Sequence, residues 1–422
     1  MKVRLESNFN PIFLKKALSQ KDKIALVDDG GFGLVTSNIF NRESSLYVNE
    51  YDVIIIMLDT AFLVELKVFN DPFGCNIDKE YKKIESAVND ILILADTYHK
   101  KKPNVPICIV SFPNQVNTPF NYLETNTKNW SLNNLINDLN YELAKNIASN
   151  ANTYLFDINN VILNYGYKTL FDNRMHYLAK SPFSSEGVNH IASEIESFLN
   201  IMINSPKKVL VLDLDNTLWG GVIGEDGLMG IELSSDGYGR AFYDFQKEIL
   251  NLKKRGILLA LCSKNNENDA KEVFDEHPDM VLSWEDFIVK KINWNDKASN
   301  IKEIAGELNL GVDSIVFIDD NPAERQWVRS KLPGVFVPDF PDEAADLMSF
   351  LLSLKVFNTF FITEDDFSKT QKYQTENLRK ELKEKSLTYE DFLISMEIRC
   401  SVKEVDETEV KRVTQLLGKT NQ

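Results

Sequence analysis

Short apolar runs bounded by polar residues recur through the first half of the chain, at 24–27, 53–58, 107–110 and 154–156, and a strand is also read at 3–6, where apolar and polar residues alternate. Runs of this length predict strands. Between them, apolar residues return at three- and four-residue spacing over 78–97 and 132–149, and a shorter helical pattern covers 10–18. Strands that alternate with helices predict a parallel sheet with helices on both faces, here an α/β domain over residues 1–204. After the Ser205-Pro206 break the alternation starts again. A four-residue apolar run at 209–212 enters Asp213-Leu214-Asp215, followed by a helix over 240–254, a strand over 257–262, helices over 266–275 and 298–308, and a strand over 314–318. Gly256 and Gly311 stand where helices should stop. The second α/β domain is therefore expected over 205–362. Beyond it, 365–385 is highly charged and reads as an exposed helix or linker, while 387–398 and 407–417 recover apolar character.

Composition narrows the class. With 43% hydrophobic and 26% charged residues, the chain of 422 residues is ordinary for folded α/β domains. A net charge of −16 argues against a nucleic-acid surface. No basic-then-apolar leader opens the sequence and no run of about 18 apolar residues occurs, so neither secretion nor a membrane span is expected and the cytoplasm is the expected compartment. Cys75, Cys108, Cys262 and Cys400 are dispersed without CxxC pairs, which speaks against zinc and against a disulfide framework.

The polar residues at the predicted strand ends carry the chemistry. Parallel sheets place ligands at the carboxyl ends of their strands. In the second domain those ends hold Asp213 and Asp215, then Ser263-Lys264-Asn265-Asn266, then Asp319-Asp320-Asn321, with Lys297 at the start of a helix. Two carboxylates as close as Asp213 and Asp215 repel each other, and the site is easier to build if a divalent cation joins them or one stays protonated. The set meets the needs of phosphoryl transfer: a carboxylate to attack phosphorus, an acid to protonate the leaving oxygen, a cation and fixed donors for the phosphate. Asp213 is the candidate nucleophile and Asp215 the general acid and base. Ser263 and neighbouring N–H groups would hold the phosphate, and Lys297 would compensate charge. Asn216, Thr217, Lys264 and Asn265 are candidate substrate-binding positions. Asp320, with Asp319 as the alternative, would complete a Mg²⁺ site with Asp213 and the main-chain carbonyl of Asp215.

These four motifs, a DxDxT, a Ser after the second strand, a Lys and a DD pair, resemble the haloacid dehalogenase (HAD) superfamily. More narrowly, the stretches that begin at Asp213, Leu261 and Phe317, together with Arg174 to Ser184 in the first domain, look like the FkbH-like branch. The first domain, with Ser7-Asn8 and Asp59-Thr60 at strand ends and Ser184 to Gly187 opening a last helix, resembles the SGNH-hydrolase fold. It lacks that family's DxxH before the last helix. Ser7 therefore reads as a strand-end cap, His176 and His190 as structural, and Arg174, His176 and Lys180 as a possible binding edge. The expected fold is thus α/β throughout, with two parallel Rossmann-like sheets: a flavodoxin- or SGNH-like domain, then a capless HAD-like domain.

The FkbH resemblance implies a glyceryltransferase and phosphatase. It would take 1,3-bisphosphoglycerate, a phosphorylated three-carbon substrate, and load a glyceryl unit on the phosphopantetheine thiol of an acyl carrier protein. It also implies that 363–422 is a linker and the truncated start of an acetyltransferase-like domain. The intervals from Asp213 to Ser263 and from Ser263 to Lys297 are too short for a large cap, and 219–237 could form only a flap. Such an open site suits a macromolecular acceptor, and equally a plain phosphatase acting on a small ester or a phosphoprotein; a carrier-protein scaffold without activity is the third alternative. Cys262 has two readings: a core residue at the end of an apolar strand, or a thiol that carries the glyceryl group with Lys264 stabilising its thiolate. Trp284, Trp294 and Trp327 are expected to pack, and Trp219 to pack or line the site. His99 and His277 are expected at helix ends, His99 solvated, and Arg325 and Arg329 solvated or paired on their helix, with phosphate contact as the alternative.

Overall fold

The computed structural model describes residues 1–59, 76–114, 122–126, 131–148, 150 and 152–362. The expectations that fall on Cys75, Thr60, Cys400 and the segment 363–422 lie outside the described residues. The chain divides into two compact units, Met1–Asn204 and Ser205–Gln422.

The first unit holds a parallel sheet of β1 (Lys2–Ser7), β2 (Leu26–Phe32), β3 (Val53–Met57), β4 (Ile107–Val110) and β5 (Thr153–Phe156), in the order β2-β1-β3-β4-β5. This is the flavodoxin-like order, whose direction reverses between β1 and β3. The period-2 alternation of a strand sends successive side chains to opposite faces. Val3, Leu5, Val53, Ile55 and Val110 join a core with the helices Ile12–Leu18 and Gly187–Ile203. Ile54, Ile56, Ile107 and Ile109 join another under Ile77–His99 and Leu132–Ile147.

Arg4 and Glu6 break that apolar pattern and are nevertheless buried on β1, an interior strand of the sheet. Arg4 Nε donates to Glu6 Oε1 at 2.8 Å, and its Nη1 reaches Asp28 Oδ2 at 3.2 Å and Tyr51 Oη at 3.3 Å. Asn38 Nδ2 adds a bond to Glu6 Oε2 at 3.0 Å. A Cβ at position 30 would lie 2.1 Å from Glu6 Oε2, so Gly30 lets β2 approach the carboxylate. This network explains why β2 runs over Leu26–Phe32, two acidic residues included, instead of ending at Val27. Asp28 has a partner inside the fold that its sequence neighbours do not reveal.

In the second unit, β6 (Val209–Leu212), β7 (Leu258–Ser263), β8 (Phe287–Ile292) and β9 (Ile315–Ile318) form a parallel sheet in the order β8-β7-β6-β9. Leu210 and Leu212 face a core with Phe242, Phe245 and Ile249 of the helix Arg240–Lys254. Val209 and Val211 face the other, with Ile301 and Ile304 of the helix Lys297–Glu307 and Val328 of the helix Pro322–Lys331. The edge strand β8 is missing from the sequence expectation because Lys290 and Lys291 interrupt its apolar run. At an edge a lysine can carry its head outward. Lys291 Nζ pairs with Glu303 and Glu307, each at 2.7 Å.

Strand order in this unit reverses between β6 and β9, where ligand crevices form in open parallel sheets. The segment after β6 inserts only a short helix, Ile223–Asp226, and a bridge between Gly220 and Glu232. Trp219, Ile223, Ile231 and Leu233 bury their side chains, so the flap is packed down on the unit. The unit is capless. Among the described residues no helix is long and apolar enough to cross a membrane.

Removing the cation from the Arg4 network leaves a buried carboxylate unpaired. We expect Arg4→Ala to lose about 3–5 kcal/mol of stability, read as a lower urea midpoint.

Candidate active site

Asp213 continues β6 and Asp319 continues β9, and the pairing of these neighbouring strands sets the two carboxylates side by side. The Asp213 N–H donates to Ile318 O at 3.0 Å, which extends the ladder to the rim. Lys297 comes from the opposite direction as the first residue of its helix, whose N-cap Asp296 accepts from the Ser299 N–H at 2.8 Å. Its ammonium donates to Asp213 Oδ2 at 2.7 Å and to Asp319 Oδ2 at 2.6 Å. Lys297 is 3% exposed and Asp319 is fully buried.

Burial alone would lower the Lys297 pKa, but the charges and hydrogen bonds of the two aspartates outweigh it and hold the ammonium charged. Burial, reinforced by the like charge of Asp213, pushes the Asp319 carboxyl up to about 6 against the pull of Lys297. Burial and then Asp213 also raise Asp320. One ammonium therefore faces three carboxylates. Asp213, Asp319 and Asp320 each present an oxygen within 4.8 Å of the others. Asp213 Oδ1 is buried without a hydrogen-bond partner. A buried orphan oxygen among clustered carboxylates fits a hard divalent cation, which supplies both the charge and the missing contact.

Asp215 is set apart from this cluster. Its Oδ1 accepts from Trp219 Nε1 at 2.9 Å and from the Ile223 N–H at 3.0 Å, while Oδ2 accepts from Asn265 Nδ2 at 2.9 Å. Burial raises its pKa, and these donors only partly offset the rise. Two carboxylates one residue apart thus have different surroundings: one beside a cation, the other held by neutral donors.

Neither a family model nor a curated protein matches the chain. Among solved structures it is similar to the N-terminal part of the protein BF1531 from Bacteroides fragilis, which contains a phosphatase domain complexed with Mg. The two are 31% identical over 85% of this chain and 94% of that one, with a TM-score of 0.74. The chain belongs to the HAD-like phosphatases. A carbohydrate esterase family 3 protein from Talaromyces cellulolyticus (14% identity, 48% of this chain and 98% of that one) and the salicylyl-acyltransferase SsfX3 from a tetracycline biosynthetic pathway (11%, 48% and 56%) are more distant, with TM-scores of 0.29 each.

Other expected site residues of this HAD-like phosphatase fall in distinct places. Ser263 ends β7 and is buried; Asn265, also buried, serves Asp215, and Lys264 is exposed. Asn216 adopts a left-handed φ of 52° and accepts the Gly221 N–H at 2.9 Å, which closes the turn into the flap. Thr217 is fully buried beneath that turn. Of its two readings, Cys262 has the surroundings of the core one: it is buried among Val211, Ala298 and Phe317, burial pushes its thiol pKa up, and its Sγ lies 3.8 Å from Lys297 O. Such a setting disfavours the thiolate.

Trp219, expected to pack or line the site, does both. Trp294 and Trp327 do not pack as expected: they are 71% and 45% exposed, and the Trp327 indole bonds Asp296. Trp284 packs against the core, and His277 caps its helix. Arg325, missed as a site residue, donates from Nη1 to Asp319 O at 2.8 Å and Asp320 O at 2.5 Å and braces their loop. Arg329 pairs with Asp339 at 2.5 Å.

In the first unit, Ser7 Oγ is buried and donates to Phe9 O at 2.8 Å, so it is a strand-end residue. His190 stacks on Tyr165, and His99 Nε2 lies 3.1 Å from Val105 O instead of being solvated. A cleft of about 460 Å³ at the strand ends is lined by Phe9, Asp59, Tyr167 and His176, without Arg174 or Lys180. Of the three residues of the expected binding edge, His176 lines this cleft.

Lys297→Met would leave Asp213 and Asp319 buried without their cation. We expect a loss of about 3–5 kcal/mol in urea denaturation without metal, and partial recovery when a divalent cation is added.

Proposed function

We propose that this chain is a Mg²⁺-dependent phosphoryl-transfer enzyme with Asp213 as nucleophile and Asp215 as general acid and base. The observation that carries the reading is the split between the two carboxylates, Asp213 against Lys297 and Asp215 among Trp219, Ile223 and Asn265. A carboxylate oxygen of Asp213 attacks phosphorus and forms an aspartyl phosphate. Asp215 gives its proton to the leaving oxygen and then takes one from the water that cleaves the aspartyl phosphate, the arrangement expected of paired carboxylates in different environments. Lys297 keeps Asp213 oriented, and Ser263 with the N–H groups after it receives the phosphate oxygens. Asp213, Asp319, Asp320 and the main-chain carbonyl of Asp215 would hold Mg²⁺, which supplies charge compensation for the transferred group.

Beside this chemistry, the FkbH-like motifs favour glyceryl transfer from 1,3-bisphosphoglycerate to the phosphopantetheine thiol of an acyl carrier protein: the thiol loses its proton and attacks the acyl carbon, the acyl phosphate leaves as inorganic phosphate, and the remaining 3-phosphate is removed through Asp213 with water. A capless site supports a bulky acceptor. Under this reading the first unit is SGNH-like and docks the partner. The burial of Cys262 favours direct delivery to the carrier thiol, without a protein thioester. It also favours the second reading, a plain phosphatase, which needs no thiol at all.

Incubation with Mg²⁺, freshly generated 1,3-bisphosphoglycerate and phosphopantetheinylated carrier protein should yield a carrier heavier by one glyceryl unit in intact-mass spectra. Phosphate release without that gain selects the plain phosphatase. Asp213→Asn should abolish phosphate release, by about a thousandfold or more. Trp219→Phe removes one of three donors to Asp215. It should lower kcat about tenfold with little change in KM, measured in steady-state phosphate release.

A further inference from the structure

We propose that Lys264 reads a second anionic group on the substrate, and that Glu324 holds this lysine in its absence. The inference rests on the phosphoryl-transfer reading and names the substrate class for that site: phosphate esters or anhydrides that carry a further phosphate or carboxylate.

Lys264 follows Ser263 at the end of β7, and Glu324 lies in the first turn of the helix that opens after Asp319-Asp320-Asn321. Two of the loops that build the reaction centre are thus joined by one ion pair, Lys264 Nζ to Glu324 Oε1 at 2.6 Å. The cations beside it are committed. Lys297 is buried between Asp213 and Asp319, and Arg325 Nη1 is held by two main-chain carbonyls. Lys264 differs from both, because its side chain is 39% exposed and its partner is a single carboxylate, 18% exposed.

The lysine end of the pair is open to solvent, which screens its attraction to Glu324 and lets a second anion compete for the ammonium. A phosphate or carboxylate on the substrate can take the place of Glu324 on the ammonium. A ligand with only the reacting phosphate leaves the pair intact and gains nothing from it. Glu324 also repels a second anion until Lys264 has moved to meet it. The pair therefore acts on discrimination between substrates more than on the chemical step.

The test uses a matched pair of ligands, 3-phosphoglycerate and glycerol 3-phosphate, which differ in one carboxylate. Binding to Asp213→Asn with Mg²⁺ is measured by calorimetry, so no turnover is required. We expect 3-phosphoglycerate to bind about tenfold more tightly, the gain from one charge-assisted contact. Adding Lys264→Met should bring the ratio of the two dissociation constants close to one, and Lys264→Arg should retain it. Adding Glu324→Gln should tighten 3-phosphoglycerate severalfold. A ratio near one without these changes, a ratio that survives Lys264→Met, or failure of both ligands to bind overturns the proposal. Wild-type phosphate release from the same compounds separates the two readings. Binding discrimination without any turnover would count against phosphoryl transfer while leaving the role of Lys264 in place.

Discussion

The second unit depends on one ammonium held between two carboxylates. Lys297 sits where three elements converge: the end of β6, the end of β9, and the start of its own helix. Ions this deeply buried are costly to desolvate, and the cost is met only where opposite charges and hydrogen bonds surround them. The arrangement ties the loops after two neighbouring strands to a helix N-terminus. It leaves a net negative charge and one orphan oxygen of Asp213, the condition under which a divalent cation completes the site. Structural and chemical roles therefore coincide in the same three side chains.

Around that centre the fold separates two acids that the chain places almost side by side. Asp213 belongs to the strand ladder, whereas Asp215 belongs to the turn that follows it. Trp219 explains how the separation is kept. Its indole packs against Phe274 while its N–H holds Asp215, so the flap that replaces a cap is fastened by the acid it surrounds. Gly220 permits this fastening, because a Cβ there would lie 2.9 Å from Phe242. The first unit uses buried charge differently. Arg4 and its acidic partners lie on a sheet face and serve to join β1 to β2.

Much of this was legible in the chain. The positions of β3, β4, β5, β6, β7 and β9 followed from apolar runs and that of β1 from the alternation of Val3 and Leu5 with polar residues, because strands packed in a sheet between helices need apolar side chains on the faces they bury. The residues that meet at the Lys297 centre were all visible, the aspartates as polar residues at strand ends and Lys297 as the first residue of a helix. The edge strand β8 and the second half of β2 were not, since an edge lets lysines reach water and a buried arginine lets aspartates enter a strand. Cys262 was visible as a residue beside the site, but strand alternation turns it to the opposite face from Ser263, into an apolar core.

What the amino-acid order determined by itself was the alternation of elements and the chemical inventory at their ends, because periodicity and residue type are local properties. Only the tertiary structure decided which inventory members touch. It assigned Lys297 to Asp213 and Asp319, Trp219 and Asn265 to Asp215, Lys264 to Glu324, and Arg4 to Asp28. These partners are far apart along the chain or separated by a turn, and each pairing exists because strand order brings two charges or dipoles together, out of water in every case but the solvent-exposed Lys264 pair. Environment, and hence protonation and role, is a property of that packing.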